Sequence, residues 1–253
     1  MKDFKEAFEK TRLAGSIAAG ALDEVNKIVK PGISTNEIDK LCYEYINDHQ
    51  AYSAPLFYRG FPKSCCTSAN HVVCHGIPSD KILKEGDIVN VDVTAFKDGW
   101  HGDTSRMFKI GKVSIKAEKL INSTYEAMMK AISIVKDNVH LGDIGSTIQK
   151  HVEAEGFSVV QDFCGHGIGE AFHKEPNILH YGEKGSGEKI KAGMIFTIEP
   201  MINIGKYETK ILNDGWTAVT RDKSLSAQFE HTIGVTNNGC EVFTQSNNTN
   251  LIL

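Results

Sequence analysis

The 253-residue sequence has no apolar run approaching the ~18–20 residues that a membrane-spanning helix needs, which excludes a helical membrane protein. Its first ten residues, Met1 to Lys10, alternate charges and lack the apolar stretch of a secretory signal. Cysteine is sparse. Cys42, Cys65, Cys66, Cys74, Cys164 and Cys240 form no Cys-x-x-Cys pair and are too few for a disulfide scaffold, so reduced thiols and a cytoplasmic setting are expected. Concentrated positive charge is also missing. With 28 Lys and Arg against 32 Asp and Glu, the net charge is −4 and no basic block exists, which argues against nucleic acid as the main ligand. A hydrophobic content of 41% and a charged content of 24% exclude global disorder. The length suits one large domain or two small ones.

Apolar periodicity predicts a first helix through Leu13, Ile17, Ala21, Val25 and Ile28, stopped by Pro31-Gly32. The capping box Ser34-x-x-Glu37 opens a second, with Ile38, Leu41, Tyr45 and Ile46 on one side. From Phe57 to Gly102 the pattern is strand-like, clearest at Ile88–Val93. The Asp98-Gly99 pair predicts a turn into a strand that begins near Gly102. The scheme then recurs. Helices are expected over about Ala117–Lys136 and around Ile144, Ile148 and Val152, ending near Gly156. Strands follow at Ser158–Phe163, Met194–Glu199 and Glu230–Val235.

Letters repeat as well as pattern. Ile28-Val29-Lys30 returns as Ile134-Val135-Lys136, an offset of 106 residues. The stretch Leu83–Asp92 aligns with Ile190–Glu199 at an offset of 107. Two strings at nearly one offset point to an internal duplication, with Asp92 and Glu199 at equivalent positions across a pseudo-two-fold axis.

Strand interiors rarely accept carboxylates, because an unpaired buried one costs several kcal/mol or protonates. Four stand in or beside apolar strands here: Asp92, Asp103, Glu199 and Glu230. Alternation along Ile88–Val93 sets Asn90 and Asp92 on one face, opposite Val89, Val91 and Val93. Lys and Arg are sparse in these strands, so a pair of divalent cations is the neutralising partner that fits. His166 sits in Gly165-His-Gly-Ile-Gly169, where small neighbours permit close approach. His173 and His75 complete the candidates. The other histidines (His49, His71, His101, His140, His151, His180, His231) read as surface or structural.

These residues lie in seven motifs: Val-Cys-His75-Gly-Ile-Pro, Asn-Val-Asp92-Val-Thr, His-Gly-Asp103-Thr-Ser, Cys-Gly-His166-Gly-Ile-Gly, Phe-His173-Lys-Glu-Pro, Thr-Ile-Glu199-Pro-Met and Phe-Glu230-His-Thr. In kind and order they resemble the bacterial-type (type I) methionine aminopeptidase family, within the pita-bread metallopeptidases. The resemblance runs from the first helix to about Phe243. It implies an α/β (α+β) pita-bread fold, with duplicated helix–helix–strand halves around a central antiparallel sheet. One catalytic domain over residues 1–253 is expected, its halves spanning about 10–112 and 116–243.

By the same resemblance, Asp92, Asp103, His166, Glu199 and Glu230 are metal ligands, with Asp103 and Glu230 bridging two ions. One imidazole among carboxylates suits Co²⁺, Mn²⁺, Fe²⁺ or Zn²⁺. Such a pair, about 3.5–4 Å apart, holds a bridging hydroxide and polarises a carbonyl. The implied reaction is removal of the amino-terminal methionine from nascent polypeptides, with a small second residue preferred. Glu199 takes the proton, His173 stabilises the oxyanion, and His75 contacts the scissile amide or the leaving amine. Positions matching Tyr58, Phe61, Cys66, Phe172 and Trp216 line the methionine pocket, with His75 and His173 also on the substrate. Pro55 and Arg59 depart from the enterobacterial pattern of a cysteine and a histidine, which bears on inhibitor preference and tolerance of the second residue. A monomer with transient ribosome contact is expected. Prolidase, aminopeptidase P and creatinase carry a large amino-terminal domain, for which a first helix near residue 4 leaves no space. The spacing of His173, Glu199 and Glu230 has no room for the type II insertion. A non-catalytic binding protein on this fold would have lost ligands that are all present here.

Overall fold

In the computed structural model, which describes residues 4–246, helix α1 (Lys5–Ile28) leads into α2 (Thr35–Asp48). Residues 1–3 of the stretch read for a signal lie outside the described residues. Strands β1 (Tyr52–Ser53), β2 (Cys66–Ala69), β3 (Val72–Cys74), β4 (Ile88–Lys97) and β5 (Trp100–Lys109) follow. The order then restarts with helices α3 (Ile115–Ile134) and α4 (Leu141–Ala154). Short strands come next: β6 (Ser158–Val159), β7 (Gly165–Gly167), β8 (Lys174–Ile178), β9 (Ile195–Ile198) and β10 (Met201–Asn203). The last are β11 (Thr209–Ile211), β12 (Ala218–Thr220), β13 (Ser226–Gln228), β14 (Glu230–Val235) and β15 (Cys240–Val242). No helix among the described residues is long and apolar enough to cross a membrane.

A nine-stranded antiparallel sheet runs β1-β4-β5-β14-β9-β7-β8, with β2 also on β4 and β15 on β14. Two three-stranded sheets, β13-β10-β6 and β11-β12-β3, flank it. The duplication is written into hydrogen bonds. Both long helices end on an extended valine, Val29 (φ −66°, ψ 121°) and Val135 (φ −69°, ψ 123°). Glu37 accepts from Ser34 N at the start of α2, and Asp143 accepts from His140 N at the start of α4. Gly32 N donates to Leu83 O as Asn138 N donates to Ile190 O, and Gly86 N to Ile110 O as Gly193 N to Val235 O.

Two main cores form, one within the first half and one largely of the second half that also takes in Ile88 and Met107. Leu22, Ile38 and Ile46 of α1 and α2 pack on Val89, Val91 and Val93 of β4. Leu120, Ile144 and Ile148 of α3 and α4 pack on Phe196 and Ile233. Side chains of this size stabilise by about 1.5–3 kcal/mol each when fully buried. Helix α1 lies against β5 at backbone distance, because Gly15 and Gly102 meet there; a Cβ on Gly102 would overlap the Gly15 backbone.

Three details differ from the periodicity reading. Leu13 is 43% exposed, since the contact with β5 is made by small residues, Ala14, Gly15 and Ala18. The strand expected to reach Phe163 stops at Val159. Beyond Val160 the chain bends away, Asp162 accepts from Thr209, and Phe163 turns its ring to His75. Strand β5 starts at Trp100, immediately after the Asp98-Gly99 turn, where both residues take positive φ (50° and 86°).

Candidate metal centre and active-site cavity

Sheet register gathers the acids. On β4 the valines face the core, which turns Asn90 and Asp92 to the opposite side. Asn90 spans the seam, donating to Ser105 Oγ (3.0 Å) and Gln228 O (2.8 Å). Asp103 lies opposite Thr94, whose hydroxyl donates to its Oδ1 (2.7 Å), and Glu230 lies opposite Ser105 across β5–β14. Thr232 Oγ1 accepts from Asp103 N and donates to Asp103 O, which pins that residue from the next strand.

The second half supplies His166 and Glu199. Gly165 and Gly167 flank the histidine, and a Cβ on Gly167 would overlap the carbonyl of Glu175, so glycine is what lets β7 approach β8. His166 Nδ1 lies 3.1 Å from Gly167 O; a carbonyl only accepts, so Nδ1 carries the proton and Nε2 faces the acids. Nε2 lies 3.7 Å from Asp103 Oδ2 and 3.6 Å from Glu199 Oε1. Thr197 links the pair, because its hydroxyl accepts from His166 N (3.0 Å) and donates to Glu199 Oε1 (2.8 Å). Gln228 Nε2 donates to Glu199 Oε2 (3.3 Å), and Glu199 N donates to Nε2 of the wholly buried His180 (3.1 Å).

Among the described residues no lysine or arginine forms an ion pair with any of the four acids; the one basic side chain beside them is His166, whose Nε2 faces Asp103 and Glu199. Burial, then Asp103 and Glu199, hold Asp92 well above the ordinary carboxylate range. Glu230 is raised likewise by burial and by its acidic neighbours, and burial pushes Glu199 up to about 7. His166 is raised despite burial, by Asp103 and Glu199. Donor atoms of Asp103, His166 and Glu230 come within 4.8 Å of one another. An oxygen-rich, uncompensated cluster with one oriented imidazole fits a divalent cation.

The same acids line a cavity of about 570 Å³. Every residue expected at the site lines it: Asp92, Asp103, His166, Glu199 and Glu230, then His75 and His173, then Tyr58, Phe61, Cys66, Phe172 and Trp216. Pro55 and Arg59 stand there too. Phe61 meets Trp216 edge-on (5.2 Å), and Tyr58 leans on Phe172 (4.9 Å). Burial pushes the Cys66 and Cys74 thiols well up, so the cavity presents uncharged sulfur. His75 holds a left-handed backbone (φ 55°), strain of the kind found at functional sites. Burial lowers its pKa; burial and the neighbouring His166 push His173 down to about 4.

Sequence reading missed the residues behind this front row. His101, with Nδ1 on Gly169 O, stacks on Phe172, and His180 sits beneath Glu199. Thr94, Thr197 and Gln228 orient the acids. The two threonines and His101 fall inside the seven motifs, which is a usable signal; His180 carries none in its local context.

The sequence profile of metallopeptidase family M24 matches residues 9–237. The chain belongs to metallopeptidase family M24. A member from Rickettsia prowazekii, a methionine aminopeptidase, is 58% identical over 240 residues, which are 94% of this chain and 93% of that one. A crystal structure of methionine aminopeptidase from the same organism superposes with a TM-score of 0.94 at 57% identity, covering 95% of this chain and 98% of the other. Prolidase from Pyrococcus furiosus shares the fold alone, with a TM-score of 0.76 at 22% identity over 96% of this chain and 65% of its own. Membership of M24 makes the protein a metal-dependent hydrolase of peptide bonds, in keeping with its cluster of acids and imidazole.

Proposed function

We propose that this chain cleaves the first peptide bond of polypeptides that begin with methionine, with a small second residue preferred. The observation that carries the reading is one cavity lined by two unlike sets of residues, the carboxylates of the acid cluster and a group of aromatic and sulfur-bearing side chains. An unbranched thioether suits the second set, since sulfur–aromatic contacts add about 0.3–1.5 kcal/mol. The relatives' activity supports the same substrate.

Asp92, Asp103, His166, Glu199 and Glu230 would hold two divalent cations, drawn from Co²⁺, Mn²⁺, Fe²⁺ and Zn²⁺. When bound, such ions supply an activated water and draw charge from a carbonyl. Glu199 receives the proton of the attacking water at its carboxylate. His173 donates a hydrogen bond to the carbonyl oxygen as negative charge develops there. His75 holds the scissile amide or delivers a proton to the departing amine. The carboxylates of the cluster hold the substrate's α-ammonium, which confines cleavage to the first residue. Nascent chains in the cytoplasm are the substrates of this reading, met by a monomer in passing contact with the ribosome.

The test is release of methionine from a Met-Ala-Ser peptide, with chelator and after addition of each metal. Release is expected to vanish with chelator and to return with at least one of the four ions. Failure to release methionine with any of them overturns the proposal.

A further inference from the structure

Three rings hold His173. Phe172 lies 4.1 Å and His166 4.2 Å from its centroid, and Tyr58 5.2 Å. Ring packing sets the plane of an imidazole and is indifferent to which nitrogen carries the proton. A directional bond is needed for that, and one is present: Tyr58 Oη lies 3.0 Å from His173 Nδ1. We infer that Tyr58, besides walling the cavity, is the positioning residue of His173, holding Nδ1 so that Nε2 keeps the proton offered to substrate. This rests on the role proposed above for His173.

The direction of the bond follows from what surrounds the phenol. The Arg59 guanidinium lies over the Tyr58 ring, 5.3 Å from its centroid, and a cation there draws charge from the ring. That makes the hydroxyl a better donor and a poorer acceptor. If Tyr58 donates to a neutral imidazole, the ring's proton sits on Nε2. If the imidazole is charged, both nitrogens carry protons and Nε2 donates again. The form excluded is the neutral ring protonated at Nδ1, whose Nε2 lone pair would oppose a carbonyl oxygen. The loop is built to keep Tyr58 in place. Phe57 (φ 64°) and Arg59 (φ 47°) are left-handed on either side of it, and Tyr58 N donates to Pro55 O while Phe61 N donates to Tyr58 O. Two strained non-glycine residues flanking one aromatic are the kind of cost that persists at functional sites.

The experiment is Tyr58→Phe in the zinc-loaded, ¹⁵N-histidine-labelled protein, with His173 assigned by its disappearance in His173→Ala. The parent is expected to show His173 protonated at Nε2. In Tyr58→Phe the Nδ1-protonated form should appear. The kcat for Met-Ala-Ser should fall about three- to tenfold, the span of one neutral hydrogen bond, with KM within about twofold. An unchanged thermal midpoint confirms that the variant is folded; where it falls, the tautomer pattern still decides. A parental tautomer pattern in Tyr58→Phe overturns the inference, as does a rise in KM at constant kcat, which would leave Tyr58 a wall alone. If His173→Ala keeps the parental kcat, the reading of His173 fails and this inference with it. If His173→Ala is inactive while Tyr58→Phe is parental, this inference alone fails.

Discussion

Replacing Thr197 with valine removes one hydroxyl and keeps nearly the same shape, and the structure predicts a large effect. Thr197 is wholly buried, and its oxygen serves two neighbours, accepting from His166 N and donating to Glu199 Oε1. Valine leaves the amide of His166 buried without a partner, at a cost of about 1–3 kcal/mol. It also removes a hydrogen bond to a carboxyl group, worth about 1.5–3 kcal/mol when that group is ionised. Burial holds Glu199 at about 7, so near neutral pH only part of that second contribution applies. The extra apolar burial of valine returns roughly 1 kcal/mol. The net expectation is a loss of about 3 kcal/mol, or a fall in Tm of roughly 6–12 °C for a chain of this size. Urea denaturation in chelator isolates the protein's own bonds. Metal affinity, measured separately by titration calorimetry, should drop about 10–100-fold, as for other partners that orient a ligand. Thr197→Ser should recover most of both. A valine variant within 0.5 kcal/mol of the parent, as for a site where water replaces the hydroxyl, would refute the reasoning.

Other consequences are as direct. His180 is held at about 3 by burial, against an ordinary 6.5, so below pH 6.5 the unfolded chain takes up a proton that the native one refuses and stability falls as pH drops. The loss from this group is about 3 kcal/mol at pH 4; in His180→Gln the stability difference between pH 7 and pH 4 should shrink by that amount, and an unchanged urea midpoint difference would contradict it. Glu230→Gln removes one of four mutually repelling acids, so in chelator its urea midpoint should equal or exceed the parent's while metal affinity falls more than about 100-fold; a less stable metal-free variant would count against the repulsion argument. Gly102→Ala drives a methyl into the backbone of α1 and should cost about 3 kcal/mol, measured by the same denaturation, whereas a neutral result would mean that helix and strand can part freely.

Features with local punctuation are legible in the sequence. The Ser34–Glu37 box, the Asp98-Gly99 turn and the strand Glu230–Val235 stand where their residues place them. The duplication was legible because both halves solve one problem, closing a helix on an extended valine before a second helix. Leu13 misled because hydrophobicity is not the criterion where a helix meets a strand at backbone distance; smallness is. The run Ser158–Phe163 misled because its apolar residues serve two structures, the sheet up to Val159 and the cavity wall at Phe163. At the candidate site the acids were conspicuous, being charged residues in apolar strands. Their supports were not. His180 meets Glu199 from 19 residues away with nothing near it in the chain to mark the encounter, and Gln228, though beside the Glu230 motif, meets Glu199 from 29 residues away.

The strand at the middle of the large sheet is made almost last. β14 sits between β5 and β9, yet it begins at Glu230, and translation reaches it only after every other strand of that sheet except β15. Until it emerges, its two neighbours border an open slot, and the cluster of acids lacks a member carried by the missing strand. Closing the slot and completing the cluster are therefore one event. A chain cut short before Glu230 lacks both the strand between β5 and β9 and one of the four clustered acids.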